Sequence, residues 1–473
     1  MIGKNFIEIG AAELALGMST GAHTLDGGFS PETTAVNLTA VPGVMYPPAN
    51  PVDISWTFSS LGDAIAFCPT NVTLLNGFAL TVNGYILKID STPSFPSVSA
   101  QLTGTYTTGT SDIVNFIDKI YATSTTDVAR MDTNLTNGDY DWWSLTLGKG
   151  VLTSGTRHPM VVFQDLLWVG DNNKLHNIVD SGTGNASVLT LSIHNEITAL
   201  GVDPSSGKML IAATQGSNYS NTLSSGNRVF LYDGTSATYT REYAVDGMVT
   251  GFRSVGGITY VFYGGNKIGY WNGSGITFLR KLKNVTLSGA DIPYKHHVTN
   301  IDNTLYIVDG KQVLAFGEVL PGRKVWYYCY FNNVNSNKLG LLCPIGSKLL
   351  GLGFATSKFY TLDTTSVATG EALTFTSNFY KFPRPVYIRS ARIEYDGSVP
   401  NNDANRSFTY KTQTNTSFQA LASITNSTGA SIYENADIIG FADDKVTALQ
   451  LQYSMSITVV GVRRILVYYD VAE

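Results

Sequence analysis

The sequence predicts an all-β fold, a β-propeller followed by an antiparallel β-sandwich. Three observations predict it. The first is a repeat: a hydrophobic, strand-like segment with a Gly-containing turn recurs about every 40–50 residues as far as Leu362, the period of a propeller blade. Its clearest copies, residues 228–243 and 267–282, align without a gap at an offset of 39, so that Tyr232-Asp233-Gly234 falls on Trp271-Asn272-Gly273 and Arg241 on Arg280. The second is the chemistry of the repeat, with Val, Ile, Tyr and Phe in the strands and Gly, Asn and Asp at the turns. The third is composition. Charged residues make up only 14% and hydrophobic residues 43%, so the polar surface must come mostly from Ser, Thr, Asn and Gly.

Taken in order, residues 1–55 read as an extended arm. They open on a possible helix at 6–16, pass Gly27-Gly28, and reach four prolines within 41–51, which force extended or turning backbone. Residues 56–370 read as the propeller, in seven units. The central strands are expected at 78–82, 119–123, 166–170, 209–213, 258–263, 305–308 and 349–352. A second strand follows each, at 85–89, 128–131, 174–178, 229–232, 268–271, 313–316 and 359–362. The count is six or seven blades, six if part of the first unit belongs to the arm. A polar insert at 215–226, carrying Tyr219, interrupts the spacing. Residues 371–473 read as a separate β-sandwich with longer strands. Between 447 and 455, Thr447, Leu449, Leu451, Tyr453 and Met455 alternate with Ala448, Gln450, Gln452 and Ser454, the period of a strand with one buried face. Residues 113–117 and 435–441 are the other candidates for short helical turns.

The net charge of −5 argues against a general nucleic-acid-binding protein. The three cysteines, Cys68, Cys329 and Cys343, are too few and odd in number for a disulfide framework. They read as buried thiols, although a hairpin could bring Cys329 near Cys343. No apolar run is long enough for a transmembrane helix. The first 23 residues make a poor signal peptide, because an acidic residue interrupts the apolar stretch. The expectation is a chain that stays in the cytoplasm or leaves it inside an assembly.

The motifs of common catalysts are missing: no phosphate loop, no HExxH, no CxxC, no GxSxG and no EF-hand. His296 and His297 would face opposite sides of a strand, which leaves them unable to share a metal. A glycosidase needs two carboxyl groups ~5–10 Å apart. The candidates Asp139, Asp141, Asp165, Asp171, Asp233, Asp246, Asp302 and Asp309 fall mostly at turns, where Asp bonds its own backbone. No catalytic, cofactor-binding or metal residue is therefore assigned, and no cofactor is expected. The aromatic cluster 139–143 offers Trp142 and Trp143 on opposite faces of an outer strand, one of them exposed. With Tyr219 they form the candidate interaction surface. The cluster Trp326-Tyr327-Tyr328 reads as a strand covered on both faces. N-x-[ST] triplets such as Asn185 and Asn284 follow from a composition rich in Asn, Ser and Thr.

The order of parts carries a resemblance. A "GGF…LTAVPGV" passage at 27–44, with Gly27-Gly28 and Pro42-Gly43-Val44, precedes a propeller without catalytic motifs, and the chain ends on the strand RRILVYYDV. This resembles the virion β-propeller proteins of tailed bacteriophages, in particular the tail-hub and nozzle proteins of short-tailed phages. The resemblance implies a structural, non-enzymatic subunit of a homo-oligomeric ring, typically six-fold, assembled in the host cytoplasm into the virion tail. It implies adaptor proteins and fibres or spikes as partners, and genomic DNA passing without sequence-specific binding. The alternatives are a carbohydrate- or receptor-binding propeller at the tail tip and a divergent glycoside hydrolase.

Overall fold

A computed structural model describes residues 5–10, 44–45, 52–57, 61–70, 76–90, 98–102, 104–180, 182–193, 195–215, 226–282, 285, 294–301, 303–310, 312–320, 322–331, 339–345, 348–353, 358–362, 373–399, 406–412, 414, 417–424, 431–437, 445–455 and 461–472. The chain divides into two compact units, the larger comprising 52–311 with 336–361, the smaller 1–51, 312–335 and 362–473.

The larger unit is a β-propeller. Each blade is an antiparallel sheet of four strands. Blade 1 is Ala64–Pro69, Asn76–Thr81, Tyr85–Asp90 and Val98–Gln101. Blade 2 is Ile113–Phe116, Lys119–Thr123, Val128–Asp132 and Gly138–Asp139. Blade 3 is Met160–Phe163, Leu166–Asp171, Lys174–Asp180 and Thr183–Thr190. Blade 4 is Asn195–Asp203, Lys208–Gln215, Arg228–Tyr232 and Arg241–Ala244, and blade 5 is Val249–Val255, Ile258–Tyr263, Lys267–Trp271 and Ile276–Lys281. Blade 6 is Leu339–Ile345, Lys348–Gly353 and Lys358–Leu362, completed by Val52–Thr57 from the other end of the chain. Six blades are thus complete. A further sheet runs in the order Val298–Ile301, Thr304–Asp309, Gln312–Leu320, Arg323–Phe331, and the division between the units falls inside it. The first strands neighbour one another in chain order, Val298–Ile301 standing between those of blades 5 and 6, and Leu339–Ile345 lies against Ala64–Pro69 to close the ring.

The strands expected from sequence are the second and third of each sheet, where side chains on both faces are covered by neighbouring blades. Phe78, Leu80 and Ile86 of blade 1 pack on Ile113, Ile120 and Met131 of blade 2, and Trp168 and Leu175 of blade 3 pack on Ile211 and Phe230 of blade 4. No blade could bury such faces alone, which is why the unit repeats. First and second strands are joined by two-residue turns with both φ angles positive at Ile117-Asp118 (44° and 57°), Gln164-Asp165 (51° and 56°) and Gly256-Gly257 (58° and 79°), the geometry that matches strand twist.

Several expectations are corrected. Val52–Thr57 is a blade strand, so the arm expected over 1–55 ends inside the propeller. Residues 113–116 are not a helical turn but the first strand of blade 2. Residues 6–9 are not helical either. They belong to strand Asn5–Ile9, which pairs antiparallel with Val462–Val471. Ser431–Asp437 is a strand where a turn was expected to begin.

The smaller unit holds an eight-stranded antiparallel sheet in the order Asn5–Ile9, Val462–Val471, Tyr380–Val399, Val446–Met455, Arg406–Thr412, Gln419–Ile424, with Leu373–Thr376 and Ser431–Asp437 pairing beside it. The 20-residue strand Tyr380–Val399 makes this a sandwich. Its first part pairs with Val446–Met455, and from Val386 onward it pairs with Val462–Val471, so one strand passes from one layer to the other. The Tyr395 and Tyr453 hydroxyls, one from each layer, meet at 3.1 Å in the core. The expected alternation holds at Leu449, Leu451, Tyr453 and Met455, all buried, while Thr447 is exposed at the strand's start.

Candidate axial site

The first strands of blades 1, 4 and 5 share an irregularity. Each carries a β-bulge near its start, between Ala64 and Ala66, between Ile197 and Ala199, and between Val249 and Gly251. A bulge inserts an unpaired residue and re-aims its side chain. The inserted residues are Ile65, Thr198 and Thr250, and all three line a cavity of ≈ 40 Å³ where the blades converge. Ser111, Asp112, Tyr294, Lys295 and His296 complete its polar wall. The bulge is locked between blades, since the Thr198 hydroxyl donates to the Val249 carbonyl at 2.7 Å.

Asp112 is the centre of the wall. It precedes the first strand of blade 2, and its carboxylate accepts four hydrogen bonds, as many as a carboxylate readily takes. The donors are Ile113 N (2.8 Å), Met160 N (2.7 Å), Lys295 Nζ (2.7 Å) and His296 Nε2 (2.7 Å). Burial alone would raise its pKa. Lys295 and His296 outweigh that and hold the carboxyl well below the usual range. His296 Nδ1 accepts the Phe67 N–H at 3.2 Å, so the proton sits on Nε2 and a neutral imidazole satisfies both contacts. Burial likewise lowers the His296 pKa, against the pull of Asp112. Lys295 also donates to the Met160 carbonyl at 2.9 Å. Blades 2 and 3 and the turn before Val298 thus meet on one carboxylate, and blade 1 joins them through His296.

A second buried pair lies nearby. Arg157 donates its backbone N–H to Glu196 Oε1 at 3.4 Å, and its guanidinium lies over the Tyr294 ring, 4.9 Å from the centroid. Glu196 is only 3% exposed, and its Oε2 has no hydrogen-bond partner among the described residues. Burial pushes its carboxyl up to about 7, only partly offset by Arg157. In blade 3, Asp171 is held by Thr153 N at 2.8 Å and His176 Nε2 at 3.4 Å.

The sequence-based candidates fare differently. Trp142 and Trp143 are not an exposed surface. They are 1% and 2% exposed, because residues 142–146 form a π-helical turn, closed by Leu147 N to Trp142 O at 2.8 Å, in place of a strand. Trp142 meets Tyr121 edge-on at 5.3 Å, with Arg130 over its ring, and Trp143 packs on His176. Tyr219 and Asp302 lie outside the described residues. His296 and His297 sit in a 3-10 turn, both buried, where a strand was expected. Asp233 caps its own turn through Thr235 and Ser236, as turn chemistry predicts. Cys68, Cys329 and Cys343 are all buried free thiols. Among the described residues no three His, Cys, Asp or Glu side chains are grouped as metal ligands, and no helix is long and apolar enough to cross a membrane.

Sequence reasoning missed Asp112 and Glu196. Their signal was a polar residue just ahead of an inner-strand isoleucine (Asp112-Ile113, Glu196-Ile197) and a Thr followed by a small residue (Thr198-Ala199, Thr250-Gly251).

The chain matches no protein-family model, and no curated protein matches it in sequence. Solved structures similar to it are propellers at low identity. The Swd1 β-propeller domain of Myceliophteria thermophila is 10% identical, with a TM-score of 0.46 over 66% of this chain and 98% of that one. The extracellular domain of a hybrid two-component system from B. thetaiotaomicron is 9% identical, with a TM-score of 0.49 over 85% of this chain, which spans 57% of that protein. The computationally designed Ika8 protein is 10% identical, with a TM-score of 0.41 over 64% of this chain and 96% of that one.

Proposed function

We propose that this chain is a structural, non-catalytic subunit of a bacteriophage tail, a hub- or nozzle-like protein that assembles into a homo-oligomeric ring. The observation that carries the reading is the propeller axis. It is lined by side chains that cross-link the blades, Asp112 being bonded by four donors. Such an interior, its wall cross-linked by side chains from several blades, makes a stiff spacer. Genomic DNA would travel along the axis of the ring of subunits, with six-fold symmetry favoured and adaptor, fibre or spike proteins docking around it. The net charge of −5 suits a lumen that repels phosphate and lets DNA slide. The order of arm passage, propeller and C-terminal sandwich supports the same reading. Mass photometry and negative-stain microscopy of the chain, alone and with the products of its neighbouring genes, test it. Rings are expected, and a chain that stays monomeric with those partners present rules the reading out.

The lectin reading loses its motive with the burial of Trp142 and Trp143. A glycoside hydrolase retains one supporting observation, two carboxyls pushed in opposite directions, Asp112 down and Glu196 up. Against it stand the saturated acceptors of Asp112 and the burial of Glu196. Turnover on a broad glycoside panel that disappears in Glu196→Gln would establish that reading in place of ours.

A further inference from the structure

The described histidines are His158, His176, His296 and His297, and all are buried. In three of them one ring nitrogen accepts a backbone N–H. His176 Nδ1 accepts Ser187 N at 2.8 Å, His296 Nδ1 accepts Phe67 N at 3.2 Å, and His297 Nδ1 accepts Tyr294 N at 2.9 Å. A nitrogen that accepts a hydrogen bond carries no proton, so a second proton on any of these rings would displace a backbone donor.

His158 is placed differently. It lies fully buried in the connection between blades 2 and 3, and oxygen acceptors stand at both of its ring nitrogens. Nδ1 is 3.3 Å from the Gly170 carbonyl and 3.8 Å from Asp171 Oδ1, both in blade 3. Nε2 is 3.4 Å from the Thr125 carbonyl, in the turn between the second and third strands of blade 2. A neutral imidazole has one N–H to offer. Nδ1 keeps it, drawn by the nearer carbonyl and by the carboxylate, which leaves the Nε2 lone pair against the Thr125 oxygen. A second proton needs no rearrangement, because it turns that opposed pair into a charge-assisted hydrogen bond. The titratable groups acting on the ring are Asp171, which favours its charge, and His176 of the following strand, which opposes it. Strand Lys119–Thr123 presents the uncharged Thr123 hydroxyl, bonded to the His158 backbone carbonyl at 3.0 Å.

We propose that His158 is a proton-operated clamp between blades 2 and 3: on acidification it takes a second proton in place, on Nε2, and that proton ties the Thr125 turn to Gly170 and Asp171. Burial disfavours the charged ring, and Asp171 with the two carbonyls offsets only part of that, so the clamp closes below the ordinary histidine value of about 6.5. The folded value lies below the unfolded one. The contribution of this ring to global stability is therefore complete above pH about 6.5 and is lost as pH falls below it. The clamp is local: it holds the turn more firmly at a pH where the chain as a whole is less stable. It is independent of the tail assignment.

The full-length chain, labelled with nitrogen-15 histidine, tests it. Imidazole resonances are followed from about pH 7.5 to about pH 4.5, those of His158 and His296 being the signals missing from His158→Asn and His296→Asn. The His158 signal should move as a one-proton titration with its midpoint below 6.5, ahead of His296. Hydrogen–deuterium exchange reads the clamp itself. Corrected for intrinsic rate, the amides of 124–127 should gain protection of about three- to tenfold at the acid end, the worth of one hydrogen bond. His158→Asn, which keeps a donor only at the Nδ1 position, should lose that gain. His158→Gln, which places a donor near Thr125 at every pH, should show protection that does not change with pH. If His158→Asn fails to fold, the other five histidines are replaced singly to assign the signal by elimination, and His158→Gln serves as the exchange control. A His158 signal that stays still while the chain is folded, one that moves only after His296, or one that moves with no added protection at 124–127 each overturns the proposal.

Discussion

Replacing Asp112 by alanine should be among the most damaging single changes in the propeller. The substitution removes one carboxylate and strands four donors, Ile113 N, Met160 N, His296 Nε2 and Lys295 Nζ. Breaking a buried ion pair by removing one partner costs about 3–5 kcal/mol. Lys295 keeps 25% of its side chain exposed and retains the Met160 carbonyl, so its share is discounted and the lower part of that range applies, about 3–4 kcal/mol. For a unit of this size that is roughly 6–8 °C of unfolding midpoint. Urea unfolding and scanning calorimetry of the full chain at pH 7 measure it. The sign of the pH dependence gives a second check. The folded pKa of Asp112 is depressed, so its contribution is complete above the unfolded carboxyl value of about 4 and is lost as pH falls below it. The gap between wild type and Asp112→Ala should therefore narrow below pH about 4. Adding Lys295→Met to Asp112→Ala should cost less than the two single changes summed, by about 1 kcal/mol or more. A loss under about 1 kcal/mol with additive single changes would mean that the carboxylate sits in a solvated mouth, and the reasoning would be refuted.

Glu196 predicts the opposite slope. Its folded pKa of about 7 lies above the unfolded value, so the wild type should lose stability as pH rises from about 4.5 to 7, and Glu196→Gln should flatten that decline in unfolding titrations. Ile117 is a β-branched residue held at φ 44° with 48% of its surface exposed. Ile117→Asn or Ile117→Gly should therefore stabilise the chain by about 1 kcal/mol in denaturant unfolding. Trp142→Ala should cost about 3–5 kcal/mol from the cavity it leaves, and should leave any glycan-array signal of the folded protein unchanged.

What the sequence disclosed follows from where side chains point. The second and third strands of each blade are covered on both faces, so Val, Ile, Tyr and Phe accumulate and the strands stand out. The first strands are disguised. Asn195–Asp203 mixes Glu196 and Thr198 with apolar residues, because it starts at the polar axis and a bulge breaks its alternation. The outer strand Arg241–Ala244 is largely exposed and carries no hydrophobic alternation. Trp142-Trp143 misled for a different reason. Two adjacent aromatics fit a two-faced strand and a five-residue turn equally well, and only the packing of Tyr121 and His176 distinguishes them. The axial site escaped because its members are scattered singly, Asp112 and Lys295 being 183 residues apart.

The strand Val52–Thr57 gives the propeller a timetable. Its partner Lys358–Leu362 leaves the ribosome some three hundred residues later, Val52 pairing with Thr361. At ordinary synthesis rates of ~5–20 residues per second the early strand waits ~15–60 s without its sheet partner. Blades 1 to 5 can collapse in sequence from local hairpins, whereas ring closure must come last and spans nearly the whole propeller. A nascent chain stalled before residue 358 should be open, sticky and sensitive to protease, and a full-length chain should lose those properties in one late step.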